Sequence, residues 1–556
     1  MGSMVFYYIL FLLAASEVHC SNGDANQTLM HMLGFLKNKV NSNHLGCDVI
    51  ILNPNNDNAS INISSQDGQL RNVILQSLYA HTETFNQDFE VDGSGLSRKG
   101  IKVTSDRQLF VYGISRHTLG FEGFLSLPTH YQGNHYFVIT GSSQSEFLIV
   151  GIYPGTCVHV LLRTTFTKVT YKGNSYKNGS TITEILNEYS TMKVYAAASD
   201  FTGTEIRSSR TVSVFNGNKL IGRNNGKNHL VEQLPPSDNW GQAYVTTGPI
   251  GFTYDCKIMS GFPNTCVNYT CSTNVTEYLD LPEAGSYRTL QFNNKTCFLT
   301  SNKPILVTIL IFRDYDTRPC LITLPALEEV RYTMVYVPAA MDNAQLIIVT
   351  NENITVNNAT DETILTYVEC PSYINTCIHY VKILRRNQTY TIRSTKQHFV
   401  ISAYIHGTRC KGNNCDDRGI GYPILYHTPK GNSEHKNVTC SESSGLPDSS
   451  TEDPSSPLVQ NRSCQCCSSR NSTANYTKED LAAMLTLLRE KLYVHRKKTN
   501  MYIRSLISAP DYRVSSKVIG YTCGCVLGLL GICLVLLDIR NLLKMFKNIR
   551  RNIFSR

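Results

Sequence analysis

Charged side chains are scarce in this 556-residue chain: they make up 17% of it, against about 25% in an average soluble domain. The charge is also uneven, because residues 489–556 carry 14 Lys and Arg against 3 Asp and Glu, whereas the rest of the chain carries 38 against 40. A nearly neutral body excludes a domain-wide basic surface for nucleic acid. An apolar content of 42% excludes a disordered chain.

Catalytic and cofactor motifs are missing as well. The sequence contains no phosphate-binding Gly-x-x-x-x-Gly-Lys-Ser/Thr loop, no His-Glu-x-x-His zinc helix and no Gly-x-Ser-x-Gly nucleophile elbow. Its 15 His are scattered without a ligand pair at helical spacing. Tryptophan is limited to Trp240, which we expect to plug a core or a domain boundary beside Pro235 and Pro236. We therefore expect no enzyme activity, no metal and no cofactor.

Two apolar segments predict export and membrane anchoring. The run Val5–Ala15 is typical of a signal peptide, here residues 1–20, with cleavage after Ser16 or Cys20. Residues 518–537 contain no charge and as a helix span about 30 Å, the thickness of the bilayer core. A basic tail, 538–556, follows. The chain is thus predicted to be a single-pass, type I plasma-membrane protein with its N-terminus outside.

Fourteen Asn-x-Ser/Thr sequons support export, because such an Asn is glycosylated only on a lumenal, solvent-facing segment. They are Asn26, Asn58, Asn62, Asn178, Asn268, Asn274, Asn294, Asn353, Asn358, Asn387, Asn437, Asn461, Asn471 and Asn475. None falls in the basic tail. We therefore expect a glycoprotein.

An oxidising compartment makes disulfides of most exported cysteines. The disulfide candidates are Cys256 with Cys266, Cys370 with Cys377, and Cys410 with Cys415. Cys464, Cys466 and Cys467 form a Cys-Gln-Cys-Cys cluster suited to interchain bonds. In the predicted membrane helix, Gly520, Gly524 and Gly528 recur every fourth residue, a spacing that lets two helices pack closely. Both features favour a homodimer.

The body of the chain contains an internal repeat. The pattern Ser-x-Lys/Arg-x-x-x-Val begins at Ser105, Ser208, Ser301 and Ser394, each time between alternating and apolar residues that predict strand, polar turn, strand. Helical periodicity is nearly absent before residue 478. We predict an all-β fold of four sandwich-like modules, near 46–120, 130–220, 240–315 and 330–408, within a region 46–408. A β-propeller of paired blades is the alternative.

A second marker recurs within this repeat. Gly or Asn followed by Thr-Cys and a β-branched residue occurs at 155–158, 264–267 and 375–378, and predicts a hairpin turn each time. Outside the repeat we predict an N-terminal segment (21–45), a Cys-containing appendix (409–440), a Ser/Thr/Pro-rich stalk (441–476) and a juxtamembrane helix (477–517).

Two sequence blocks go beyond general pattern, the segments 203–217 (GTEIRSSRTVSVFNG) and 232–245 (EQLPPSDNWGQAYV). They resemble the N-terminal domain family of IgG Fc-binding protein. The resemblance is sharpest over 138–250 and extends over 46–408. The family's name-giving protein carries von Willebrand factor D domains after this region, where the present sequence has the predicted membrane helix. It implies a secreted or surface β-rich domain for binding or mucosal adhesion, and it supplies no catalytic residues.

These features predict a cell-surface receptor for binding or adhesion, with an extracellular protein or glycan as its unknown ligand. A structural component of the glycocalyx or mucus layer, held by interchain disulfides, is the first alternative. A glycan-directed ectoenzyme is the second.

Overall fold

The computed structural model describes residues 29–424, except for 39–43, 67, 69, 118–120, 166–167, 224–225, 272–274, 293–294, 313–317, 331, 339–340, 351–353, 358–365, 370–377, 395–398 and 412–413. In these residues the only helical segments are three short 3₁₀ turns, Gln87–Phe89, Thr129–Tyr131 and Ser237–Asn239. All other regular structure is strand, so the predicted all-β class is confirmed. The predicted signal peptide, stalk, juxtamembrane helix, membrane span and tail lie outside the described residues.

The strands fall into four modules. Module 1 has β1 Leu29–Leu33, β2 Phe35–Leu36, β3 His44–Leu52, β4 Ala59–Ser65, β5 Leu70–Leu75, β6 Ala80–Phe85, β7 Glu90–Val91, β9 Ile101–Ser105, β10 Phe110–His117 and β11 Phe121–Ser126. The strand β8 Gly95–Arg98, between β7 and β9 in the chain, joins the edge of the main sheet of module 2. Module 2 has β12 Gly133–Phe137, β13 Ser145–Gly151, β14 Thr156–Leu161, β15 Val169–Tyr171, β16 Asn174–Tyr176, β17 Thr181–Leu186, β18 Ser190–Ala196, β19 Glu205–Arg223 and β20 Gly226–Gln233.

The second half of the described chain continues the same arrangement. Module 3 has β21 Gly241–Thr246, β22 Thr253–Ser260, β23 Thr265–Cys271, β24 Thr276–Leu281, β25 Tyr287–Gln291, β26 Cys297–Phe312 and β27 Cys320–Thr323. Module 4 has β28 Glu328–Val330, β29 Tyr332–Val337, β30 Asp342–Thr350, β31 Ile354–Asn357, β32 Thr366–Glu369, β33 Ile378–Leu384, β34 Gln388–Ser394, β35 Phe399–Lys411 and β36 Asn414–Pro423.

Each module is a two-layered sandwich, as module 1 shows most simply. One sheet has the strand order β1-β9-β4-β5 and the other β11-β10-β3-β6. Ile61 and Val103 from the first sheet share one core with Val49 and Val111 from the second. Alternation of apolar and polar residues, as in β4 and β9, points one face of the sheet into this core. The sandwich is therefore correct, and the propeller alternative is not.

A single long strand joins the two layers in modules 2 and 3. The start of β19 pairs with β14 and its later part with β13. Strand β26 likewise pairs first with β23 and then with β22. The repeated Ser lies at the transition, where Ser208 Oγ donates to the Arg210 carbonyl and Ser301 Oγ to the Lys303 carbonyl, each at 2.7 Å. The polar turn predicted there is instead an irregularity within one strand that carries the chain from sheet to sheet.

Contacts between modules close into a ring. The last strands of the modules meet, since β11 contacts β20 and β36, and β27 contacts the same two strands. Apolar side chains fill the boundaries: the rings of Phe124 and Phe215 lie 5.0 Å apart between modules 1 and 2, and those of Tyr112 and Tyr422 lie 4.9 Å apart between modules 1 and 4.

Two predicted boundaries need correction. Module 1 begins with β1 at Leu29, inside the predicted N-terminal segment 21–45. Module 4 runs through β35 and β36 to Pro423, so residues 409–423 belong to it and not to a separate appendix. The second error arises because the sequence pattern ended module 4 at its long strand and overlooked the last strand, which packs against the other modules. Within the described residues, no helix is long and apolar enough to cross a bilayer.

Candidate ligand pocket between the second and third modules

The disulfide prediction for module 3 is wrong in its pairing. Cys256 is a buried free thiol in β22, a strand that pairs with β25 and β26, so it does not bridge to Cys266. The bond in this module joins Cys271 to Cys297, which lie opposite each other in the β23–β26 ladder. Spacing along the sequence could not reveal this pair, because the two strands are separated by β24 and β25.

Other predicted cysteine and membrane positions have different outcomes. Cys410 and Cys415 lie opposite each other in the β35–β36 register, and their bond stays a prediction. The positions outside the described residues are Cys370, Cys377, Cys464, Cys466, Cys467, Gly520, Gly524 and Gly528.

Five predicted glycosylation sites fall on described, exposed residues, namely Asn58, Asn62, Asn178, Asn268 and Asn387. Asn178 and Asn387 use their side-chain carbonyls to accept hydrogen bonds, from the Thr164 amide and the Tyr336 hydroxyl, and these bonds leave Nδ2 for a sugar. Their exposure is what glycosylation requires, and occupancy stays a prediction. The other nine sequons lie outside the described residues.

The predicted role of Trp240 is confirmed. Its side chain is fully buried, and its Nε1 donates to the Pro235 carbonyl at 3.1 Å. It belongs to the core of module 2, which also takes in Met259 and Leu306 of module 3. Trp240 therefore fastens two modules together, and the pocket described next lies along the same boundary.

A cavity of about 370 Å³ opens between modules 2 and 3. Module 3 supplies its floor, because alternate residues of neighbouring strands share one sheet face: Lys257 of β22 pairs with Thr289 of β25 and with Thr308 of β26. Module 2 supplies the wall, from Ile139–Ser142 and the β19–β20 hairpin. The pocket exists only because two modules meet.

The polar end of the pocket is built around Lys257. Its ammonium donates to the Thr140 carbonyl at 2.6 Å and to Thr202 Oγ1 at 3.1 Å, and it lies 3.3 Å from Asp200 Oδ2. It also lies 4.9 Å from the centre of the Tyr287 ring. Burial lowers the pKa of Lys257, while the Asp200 carboxylate opposes that shift.

Asp200 is held in place by module 2 itself. Its Oδ1 accepts hydrogen bonds from Thr140 Oγ1 and from the Thr202 amide, each at 2.8 Å. The cation of one module and the anion of the other are thus fixed in a partly enclosed site, where electrostatic interactions are stronger than in water.

The rest of the pocket is largely apolar. This part of the lining consists of Ile139, Ile221, Leu230, Leu310, Phe312, Pro319 and Leu321. An apolar cavity with a few fixed polar groups is the usual form of a ligand site. The arrangement suits a ligand that buries an apolar or ring-shaped part and offers hydrogen-bonding groups to Lys257, Asp200 and the threonines. Sequence reasoning missed these residues because they belong to two different modules and form no motif.

Fold and pocket together define an all-β protein of repeated modules with a recess between two of them. The family profile described as IgGFc binding protein matches residues 122–413, from β11 to the end of module 4's long strand. The chain belongs to this family.

The human IgGFc-binding protein is 28% identical to this chain over 193 residues, which are 34% of the chain and 4% of the human protein. The chain thus spans a small fraction of that relative's length. A solved structure of a tetra-tandem repeat in the extending region of a large adhesion protein shares 11% identity, over 67% of this chain and 92% of its own, with a TM-score of 0.07. So low a score supports no structural argument.

Proposed function

We propose that this chain is a non-enzymatic, single-pass cell-surface glycoprotein whose ring of modules binds an extracellular protein or glycan. The observation that carries the proposal is the family match, which covers modules 2, 3 and 4 and implies an extracellular binding role. The sequons, the Cys271–Cys297 bond and the uncharged segment 518–537 support an exported, anchored protein.

The pocket between modules 2 and 3 is the proposed contact point for the ligand. It lies inside the matched region, and it combines a partly buried ion pair with apolar walls. The relative's name identifies the Fc part of IgG as one ligand to test, beside glycans and cell-surface proteins. Because the chain corresponds to so little of that relative, the ligand class is decided by experiment.

The test displays the full chain on cells and measures binding to glycan arrays, immunoglobulins and cell surfaces. Thr289→Trp places a large ring at the mouth of the pocket from an exposed β25 position. We expect it to weaken binding by at least about tenfold, which corresponds to about 1.4 kcal/mol. Thr181→Trp, at an exposed position of β17 away from the pocket, is the matched control. Retained binding in both variants would move the contact point elsewhere.

The same cells test the location and the main alternative. Surface protease digestion and glycan removal should shorten and shift the chain, and an intracellular, unglycosylated chain would contradict the proposal. If no ligand is found in any panel, the structural alternative gains support from interchain bonds at Cys464, Cys466 and Cys467 on non-reducing gels.

A further inference from the structure

Two histidines and a glutamate come together in module 1, outside the matched family region. The Nε2 atom of His117 lies 2.7 Å from Glu90 Oε1, and that of His44 lies 3.9 Å from the same oxygen. All three donor atoms lie within 4.8 Å of one another. The side chains of Glu90, His117 and His44 are 0%, 3% and 10% exposed, so the cluster is buried with one edge toward solvent.

A fourth donor stands beside this group. Cys47 is a buried free thiol whose Sγ lies 3.5 Å from His44 Nε2. In a tetrahedral zinc site with metal–donor distances of about 2.0–2.3 Å, neighbouring donors are about 3.3–3.8 Å apart. The His44–Cys47 separation fits bound zinc. The His44–Glu90 separation would close by about 0.5 Å, and the His117–Glu90 contact would open by about 0.6 Å as the metal replaces the shared hydrogen.

The backbone is shaped to bring these side chains together. Strands β3 and β10 pair regularly up to Gly46 and Arg116. The register then shifts by one residue, so that His117 lies opposite His44 and the register skips Leu45. Gly46 has a φ of +148°, and a Cβ there would lie 2.5 Å from Thr84 Cγ2. An irregularity that only glycine tolerates thus turns both imidazoles to the same side, a use of bulges that is common next to functional sites.

Surrounding groups orient the carboxylate. Lys37 Nζ holds Glu90 Oε2 at 2.8 Å, Ser115 Oγ donates to Oε1 at 3.3 Å, and Lys99 Nζ binds the Glu90 carbonyl at 2.8 Å. Such outer contacts are typical of metal-binding carboxylates.

We propose that His44, Glu90 and His117 form a binding site for a divalent transition metal of the zinc type, with Cys47 as a fourth ligand. Imidazole nitrogen, carboxylate oxygen and thiolate sulfur are the donors that zinc takes in proteins. The site would brace module 1, because its ligands come from β3, β7 and β10.

The experiment uses the full chain, stripped with a chelator and titrated with zinc chloride in a calorimeter. We expect one zinc per chain in the original protein and at least a tenfold loss of affinity in His44→Gln, whose partly exposed ring can be replaced with little effect on folding. His81→Gln is the matched control, because His81 pairs with Glu83 at 3.4 Å on the surface of the same module.

Two further measurements separate a metal site from a structural network. Cobalt in place of zinc should give the intense visible bands of a tetrahedral site, and Cys47→Ser should remove the thiolate charge-transfer band. The proposal is overturned if the original chain takes up no zinc beyond His44→Gln, or if His81→Gln loses binding to the same extent.

Discussion

The most unusual single residues of the fold are two carboxyl groups buried where the modules meet. Glu122 of β11 and Glu232 of β20 are both almost completely inaccessible, and the described residues give neither an ion-pair partner. Burial raises the pKa of each well above its ordinary value, and the proximity of Glu232 adds to the effect on Glu122. Nothing in the sequence distinguishes these glutamates from surface ones, since their burial depends on the assembly of four modules.

Replacing one of these acids with its neutral counterpart is expected to stabilise the protein at neutral and alkaline pH. The native chain keeps Glu232 protonated above about pH 4.3, the ordinary pKa of Glu in an unfolded chain. The contribution of this group to the free energy of unfolding is therefore fully present below that pH, and it is lost as the pH rises through the higher native pKa. Glu232→Gln should remove this loss, so we expect a higher free energy of unfolding than that of the native chain at pH 8 and a smaller difference between the two chains at pH 4.

The measurement is urea unfolding of the full chain at pH 4 and pH 8. Gln keeps the carbonyl oxygen that accepts from the Thr323 amide at 3.2 Å. Glu283→Gln, at a side chain that is 71% exposed, is the control and should change neither value. A loss of stability in Glu232→Gln at pH 8 would show that the native chain holds this group as a charged carboxylate.

Among the elements, the long strands β19 and β26 explain which parts of the fold the sequence predicts. The Ser-x-Lys/Arg pattern located the point where the chain changes sheets in modules 2 and 3, and Ser208 and Ser301 make the same backbone contact there. In module 1 the pattern marks the predicted turn, because Ser105 ends β9 and its Oγ accepts from the Arg107 amide. The hairpin marker also proved informative, because Gly155 and Asn264 adopt positive φ of 65° and 54° before their strands resume. Local patterns of this kind record backbone requirements, so they are readable without the fold.

The residues around a strand do not indicate which distant strand pairs with it. The Cys271–Cys297 bond and the cluster of His44, Glu90 and His117 each join segments that the sheet topology brings together. The sequence therefore shows these histidines only as scattered residues, because the register shift that gathers two of them has no sequence signal beyond Gly46.

Removing the repeated serine should weaken the module that contains it. Ser208 is buried, and without its hydroxyl the Arg210 carbonyl loses a hydrogen bond at the point where β19 changes sheets. We expect Ser208→Ala to cost about 1–2 kcal/mol in the free energy of unfolding. Chemical denaturation measures the change, and Ser175→Ala, on the exposed face of β16, should stay within about 0.5 kcal/mol of the original chain. Equal effects in the two variants would remove the special role of the repeated serine.

At the scale of the described body, modules contribute side chains to the cores of their neighbours. The core of module 3 includes Ile347 and Tyr404 of module 4, and the Tyr404 hydroxyl donates to the Thr247 carbonyl at 2.6 Å. The recurrence of one pattern along the chain could be read from the sequence. The mutual packing of the modules could not, because the last strand of each module shows no pattern until its partners are known.

A methyl group at the meeting point of β27 and β36 should open this packing. A Cβ on Gly421 would lie 2.7 Å from Ile322 Cδ1 and from the Ile405 carbonyl, and 2.9 Å from Cys320 Sγ. Overpacking of this kind costs about 1–3 kcal/mol, and we expect Gly421→Ala to lower the melting temperature and to speed labelling of the Cys320 thiol. Gly95→Ala is the control, since its nearest neighbour would be 3.8 Å away. Unchanged melting and labelling would contradict the close approach.

The contacts that return from module 4 to module 1 have a consequence for how such a protein can vary. A linear stack of repeats has two terminal units that need polar caps, and it can gain or lose a unit at either end. Here β36 meets β11, so the four units have no terminal member. A duplicated unit could be inserted only by separating two neighbouring units, and the loss of a unit would expose an apolar face on each of its two neighbours. We therefore expect relatives with this architecture to differ in loops, pockets and side chains and to keep the number of units constant.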